Sequence, residues 1–178
     1  MRIMKTILAV MVAAFCINAQ DLTAEQKAKV DAKVKLFSVW GTDAKVVEAV
    51  KAFNANPPAA AKEMTQDKWK TLTLISPEIK AFTKHEVAVY LKTKKDETVS
   101  ELFVSGANGT KVAFFAKTSS WSHLGKPKHD VPMTGKTWVG KVEVDESTGL
   151  QQVQVAFPVL DGGKAIGSIV VGLSLSKL

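Results

Sequence analysis

VAFPVLDGGKAIGSIVVGLSLSKL, Val155–Leu178, is the stretch that decides the fold. Its two arms are rich in β-branched and aliphatic residues, and LDGGK between them carries the glycines of a tight turn, so the stretch predicts a β-hairpin. Ile166 to Leu175 is apolar on both faces, as in a strand covered by helices on one side and by other structure on the second. Pro158 cannot donate to a ladder, which places it at a strand end or an edge. A central strand therefore closes the sequence, and its sheet must lie upstream.

Working back from the hairpin, the period is two as far as Glu101. ELFVS, ANGT and KVAFFAK read as strand, turn and strand, with Asn108-Gly109 supplying positive φ angles for the turn. TWVGKVEV is a third strand, DESTG a turn, and LQQVQVAFPV a fourth in which Val153, Val155 and Phe157 alternate with polar partners. Five sequential strands on short links predict one antiparallel sheet over residues 101–176.

Residues 22–95 have helical grammar instead. Thr23-Ala24-Glu25-Gln26 is a capping box, followed on one face by Val30, Val34 and Phe37. Gly41 ends this helix, and Thr42 or Asp43 caps the next, which buries Val46, Val47, Val50 and Phe53. NANPPAAAKEM reads as a loop, because two successive prolines remove two amide donors. Helices follow over 65–75 and 77–92, the second opening on Ser76 and Pro77. The fold class predicted is α+β.

The 178 residues suffice for one domain with a real core. Residues 1–19 stand apart from it. Arg2 and Lys5, an apolar run from Ile7 to Ile17, then Asn18 and Ala19 have the layout of a secretory signal peptide, with an uncleaved membrane anchor as the alternative. Cleavage after Ala19 leaves residues 20–178 as a single domain of net charge +5, since two of the seven net positive charges leave with Arg2 and Lys5. The expected location is periplasmic or secreted. No later apolar run reaches ~18 residues, so no membrane span is expected in the mature chain. The one cysteine, Cys16, lies in the leader, so neither disulfide nor thiolate chemistry is expected. With no Arg after residue 2, the dispersed lysines read as solubility and not as a nucleic-acid footprint.

One connection is long: Thr118 to Lys136, TSSWSHLGKPKHDVPMTGK. Loops of this length in a compact domain are functional or disordered, and a Trp-bearing one points to function. Trp121 offers an aromatic wall, Lys126, His123 and His129 partners for a carboxylate, and Asp130 a partner for an amine. With Trp138 at the head of the following strand, these are the parts of a pocket for a small polar metabolite. The plainer alternative is that Trp121 pins the loop while the charged residues face water. TGKT at 134–137 lacks the phosphate-loop glycine at Asp130 and runs into a strand, His85, His123 and His129 lack zinc spacing, and no nucleophile signature is present. No catalytic residue, metal or cofactor is therefore predicted.

Taken together, the long helical preface, the strand ending in VSGANG, KVAFFAKTSSW, the long loop, and VAFPV-DGG-AIGSIVVGLSL resemble the Cache, or PDC, extracytoplasmic sensor domain. The resemblance covers about residues 25–178. It implies a PAS-like five-stranded antiparallel sheet behind a long amino-terminal helix, with a small ligand, often a carboxylate or amino acid, between sheet and loop. The family often has an acid and an aromatic pair after the Thr-Ser of that loop; here Ser119, Ser120 and Trp121 follow, which favours a carboxylate with Lys126 or a His as its partner. The ending at Leu178, where receptors of the family continue into a membrane helix, implies an untethered sensor acting through a membrane receptor. The rival expectation is an accessory protein that docks on a receptor and binds no ligand of its own.

Overall fold

A computed structural model of the chain describes residues 21–144 and 149–178, so the leader read at 1–19 and most of the DESTG turn lie outside the described residues. The capping box forms as the sequence predicts: Thr23 Oγ1 accepts from Gln26 N at 3.2 Å and Gln26 Oε1 from Thr23 N at 3.0 Å, starting α1 (Ala24–Phe37). A 3-10 turn, Ser38–Thr42, continues it, and Asp43 rather than Thr42 caps α2 (Ala44–Ala55), accepting from Lys45 N at 2.9 Å.

The remaining helices are shorter than their sequence pattern. The expected loop at 54–64 contains one helical turn, α3 (Ala59–Lys62), since three alanines follow the second proline. The helix expected to Ile75 stops early as α4 (Gln66–Thr71), because Ser76 Oγ accepts from Thr73 N and closes a turn in place of a further helical turn. The helix expected over 77–92 is two, α5 (Pro77–Thr83) and α6 (Glu86–Lys92). His85 adopts an extended backbone between them and its Nδ1 accepts from Val87 N, so it acts as a new cap.

The sheet has the five predicted strands: β1 (Val99–Gly106), β2 (Lys111–Phe114), β3 (Trp138–Val144), β4 (Gln151–Asp161) and β5 (Lys164–Ser174). All pairings are antiparallel, in the order β2-β1-β5-β4-β3, so the last strand in sequence is the middle one. The turn between β1 and β2 uses one positive φ, not two. Gly109 sits at 76°, while Asn108 Oδ1 accepts from Thr110 N and Oγ1 at 3.1 and 2.7 Å. The long connection is likewise not wholly irregular. It contains α7 (Pro127–Met133), started by a proline at its first position and an acid, Asp130, in its first turn.

Strand parity assigns the two faces. Leu102, Val104, Val153, Val155, Phe157, Ile169, Val171 and Leu173 are all buried on the face that α2 and the 3-10 turn cover. The approach is close: a Cβ on Gly167 would stand 2.9 Å from Val50 Cγ1. The opposite face carries Glu101, Phe103, Ser105, Gln152, Gln154 and Ser168, and α7 lies over it. Pro158 pairs with β5 at Ser168, but pairing with β3 begins only at Ala156, so its other side is a local edge. There the 3-10 turn packs on the strand, and a Cβ on Gly41 would fall 2.0 Å from Pro158 O. Gly41→Ala is expected to cost roughly 2–3 kcal/mol of stability, read from its urea unfolding midpoint, because backbone and not a flexible side chain stands in the way.

Candidate functional site

The polar parity of β1 and β4 makes the floor of a cavity of about 240 Å³. Glu101 and Phe103 come from β1, Gln152 and Gln154 from β4, Glu143 and Val144 from β3. Lys117 to Ser119, His123 and Lys128 close it from the loop and α7. Between β1 and β4 runs β5, and Gly172 is its contribution: a Cβ there would lie 2.6 Å from Gln152 Oε1 and 3.0 Å from Glu101 Cβ. The glycine lets side chains of two non-adjacent strands converge.

Gln154 holds the charges in place. Its Oε1 accepts from Lys128 Nζ at 2.5 Å and its Nε2 donates to Glu101 Oε2 at 2.7 Å, so one amide orients a cation and an anion. Gln152 Oε1 accepts from Ser100 Oγ at 2.8 Å. Two other depressions, of about 360 Å³ each, lie beside Tyr90 and beside Lys141. Neither is backed by a buried polar side chain.

The loop owes its position to aromatic packing. Trp121 is buried against Trp69 and Phe82, with ring centroids at 5.2 and 5.3 Å, and Trp69 also meets Phe114 edge-on. Trp69 Nε1 donates to Thr118 O at 2.7 Å. Gln66 clamps the same segment twice, donating to Ser119 O and accepting from Trp121 N.

Of the six residues singled out by sequence, His123 lines the cavity. Trp121 is in the aromatic anchor. His129 is buried beneath α7, with Nδ1 2.8 Å from Ser168 Oγ and Nε2 3.3 Å from Ala107 O. Lys126 is exposed at the start of α7, Asp130 accepts from Gly125 N at 3.1 Å, and Trp138 is half-buried with its ring against Gly140. Sequence reasoning passed over Glu101, Lys117, Lys128, Glu143, Gln152 and Gln154. A signal was available for part of this set, since glutamines alternating through a strand next to a doubly apolar one must face something buried and polar.

Beneath the cavity lies Lys111, fully buried although it is a lysine. Its Nζ contacts His123 Nδ1 and stands 3.5 Å from the centroid of Phe103, on which the His123 ring stacks at 4.7 Å. Burial pulls the Lys111 amine well below its usual pKa; the opposing field of Glu101 is the smaller effect. His123 is lowered to about 2, first by burial and then by Lys111, and burial also lowers His129.

No protein-family model matches the chain, and no curated protein does. Solved structures do. The sensor domain of the V. cholerae histidine kinase DctB superposes with a TM-score of 0.50 at 14% identity, covering 85% of this chain and 53% of that one. The ligand-binding domain of the Campylobacter jejuni chemoreceptor Tlp3, solved with 4-methylisoleucine, gives 0.40 at 13% identity over 85% and 61%. That of the Pseudomonas aeruginosa PAO1 amino acid chemoreceptor PctC, solved with GABA, gives 0.39 at 12% over 86% and 62%. The fold of this chain is similar to that of the kinase's sensor domain. The chain spans little more than half the length of these domains, and at such identities the likeness concerns fold alone.

Two outcomes follow from the site's packing. Trp121→Ala should cost about 3–5 kcal/mol in urea unfolding, as a buried aromatic anchor is lost. The lowered histidines set a pH dependence: the unfolded chain binds protons that the folded one refuses, so stability rises with pH. The histidines' part is complete above about pH 6.5 and is lost as pH falls toward the folded values. Over the 1.5 units from pH 6.5 to 5, His123 alone should remove ~2 kcal/mol, at ~1.4 kcal/mol per unit. Urea midpoints at pH 5 and 7.5 measure it before most carboxylates titrate.

Proposed function

We propose that this chain is an exported sensor module that binds a small carboxylate or amino acid in the cavity above Gln152 and Gln154, without chemical conversion. The observation that carries the reading is the cavity itself, in which Glu101 and Glu143 share a small space with Lys117 and Lys128. A carboxylate finds ammonium partners there and an amine finds carboxylates, so a zwitterion satisfies both. The sensor-like fold supports the same reading. His123 belongs to this proposed site directly. Trp121 and His129 support it from behind, and Lys126, Asp130 and Trp138 are assigned to its surroundings.

Residues 1–19 as a cleaved leader, 20–178 as one domain, a periplasmic or secreted location and a membrane receptor as signalling partner all belong to the same proposal. The accessory-protein reading has one observation in its favour: Leu36 and Val39 on the outer side of α1 and its 3-10 extension are 56% and 60% exposed. Its other requirement, a filled loop region, is at odds with the cavity beneath that loop.

Thermal shift against a panel of carboxylates and amino acids tests the proposal. A compound at 100 times its Kd adds about 2.7 kcal/mol and raises Tm by several degrees. A silent panel at millimolar concentration would sink it. For any compound that binds through its carboxylate, Lys128→Met should weaken binding about tenfold or more, through loss of a charge-assisted contact.

A further inference from the structure

Lys111 is a cost with no evident structural return. It projects from β2 toward the cavity face, is fully buried, and lies one layer below Phe103 and His123, which line the cavity. Its Nζ and His123 Nδ1 are in hydrogen-bond contact, and both are bases. Such a contact needs one donor and one acceptor, so the pair accommodates a single proton easily. A second would set two cations side by side away from water.

The surroundings discourage further positive charge. Facing the pair are Glu101 from β1 and Glu143 from β3, against Lys117 beyond β2 and Lys126, Lys128 and His129 from the loop and α7. Three lysines outnumber two carboxylates. The negative charge that would balance them has room in the cavity, which His123 lines.

We propose that Lys111 and His123 form a proton-linked anion-recognition element, in which a carboxylate bound in the cavity stabilises the Lys111 ammonium and binding takes up a proton from solvent. The inference rests on the cavity being the ligand site and adds how that site is regulated. No bond other than N–H is formed: the proton comes from water or buffer and settles on the pair. The direction of the shifts agrees, since burial lowers both groups in the free protein and an adjacent anion raises Lys111 again. Between the free and bound values the complex holds more protons than the free protein. Carboxylate affinity is therefore full below the free value and fades as pH rises through the bound one.

Acetate, the smallest carboxylate, is the probe. Calorimetric titration of the whole protein near pH 7.5, in HEPES and in Tris, should give apparent enthalpies that differ by the difference between the two buffers' ionisation heats times a proton number between zero and one. In protein labelled at lysine Cε, the resonance missing from Lys111→Met should titrate well below the other lysines and move to higher pH with saturating acetate. Lys111→Met, of similar length and apolar, should fold, lose the buffer dependence, and bind acetate about tenfold or more weakly. Buffer-independent binding in the parent protein, or uptake persisting in Lys111→Met, overturns the inference. So does failure of acetate to bind while another compound of the panel raises Tm, which leaves the sensor proposal standing. A silent panel overturns both. The buffer comparison needs no variant, so a Lys111→Met that misfolds does not shield the inference.

Discussion

Everything in this molecule depends on β5 being inserted between β1 and β4. Its partners lie at very different separations in the chain: Asp161 meets Lys164 across a hairpin, whereas Val99 meets Leu173 more than seventy residues away. The local hairpin is cheap in entropy and the distant pairing is not, so the sheet closes only when the end of the sequence is in place. β5 is buried on both faces because it has no free side: strands flank it, α2 presses on Gly167, and α7 meets Ser168 through His129. Glycine and small residues at those positions are the condition for that double covering.

The same strand explains how a core and a cavity coexist in one thin sheet. Glutamine and valine alternate in QQVQV of β4, and the period of two sends the valines under α2 and the 3-10 turn and the glutamines to the other side. Glu101 and Phe103 follow the corresponding parity on β1. Gly172 between them removes the side chain that would hold the two walls apart. Gly172 thereby lets two rows of polar residues converge on one cavity.

Legibility in the sequence follows the range of the forces involved. The capping box at Thr23, the strand alternation and the strand order along the chain are governed by near neighbours and read correctly, whereas the positive φ expected at Asn108 is not adopted and α3 and α7 lie in segments read as loops. The helices split or shortened at Thr71 and His85 do not read correctly, because one hydroxyl and one imidazole compete locally with the helical ladder. The site divides in the same way. His123 could be found from the loop's composition. Lys128 and Glu101 acquire their roles only through Gln154, which lies 26 residues from one and 53 from the other. Trp121 attracts attention as a rare large residue in a loop, but its partners Trp69 and Phe82 on α4 and α5 are a tertiary fact.

The two faces of the sheet differ in what they bury. The side under α2 and the 3-10 turn buries only apolar residues and glycine from β1, β4 and β5, as folding alone would favour. The other buries Lys111, Gln152, Gln154, two histidines, and Ser105, whose Oγ makes no hydrogen bond. Each such group lowers stability unless it is fully satisfied, and an apolar residue of similar size is the more stabilising choice. Their concentration on the face that carries the cavity gives that face a polarity which folding alone does not require.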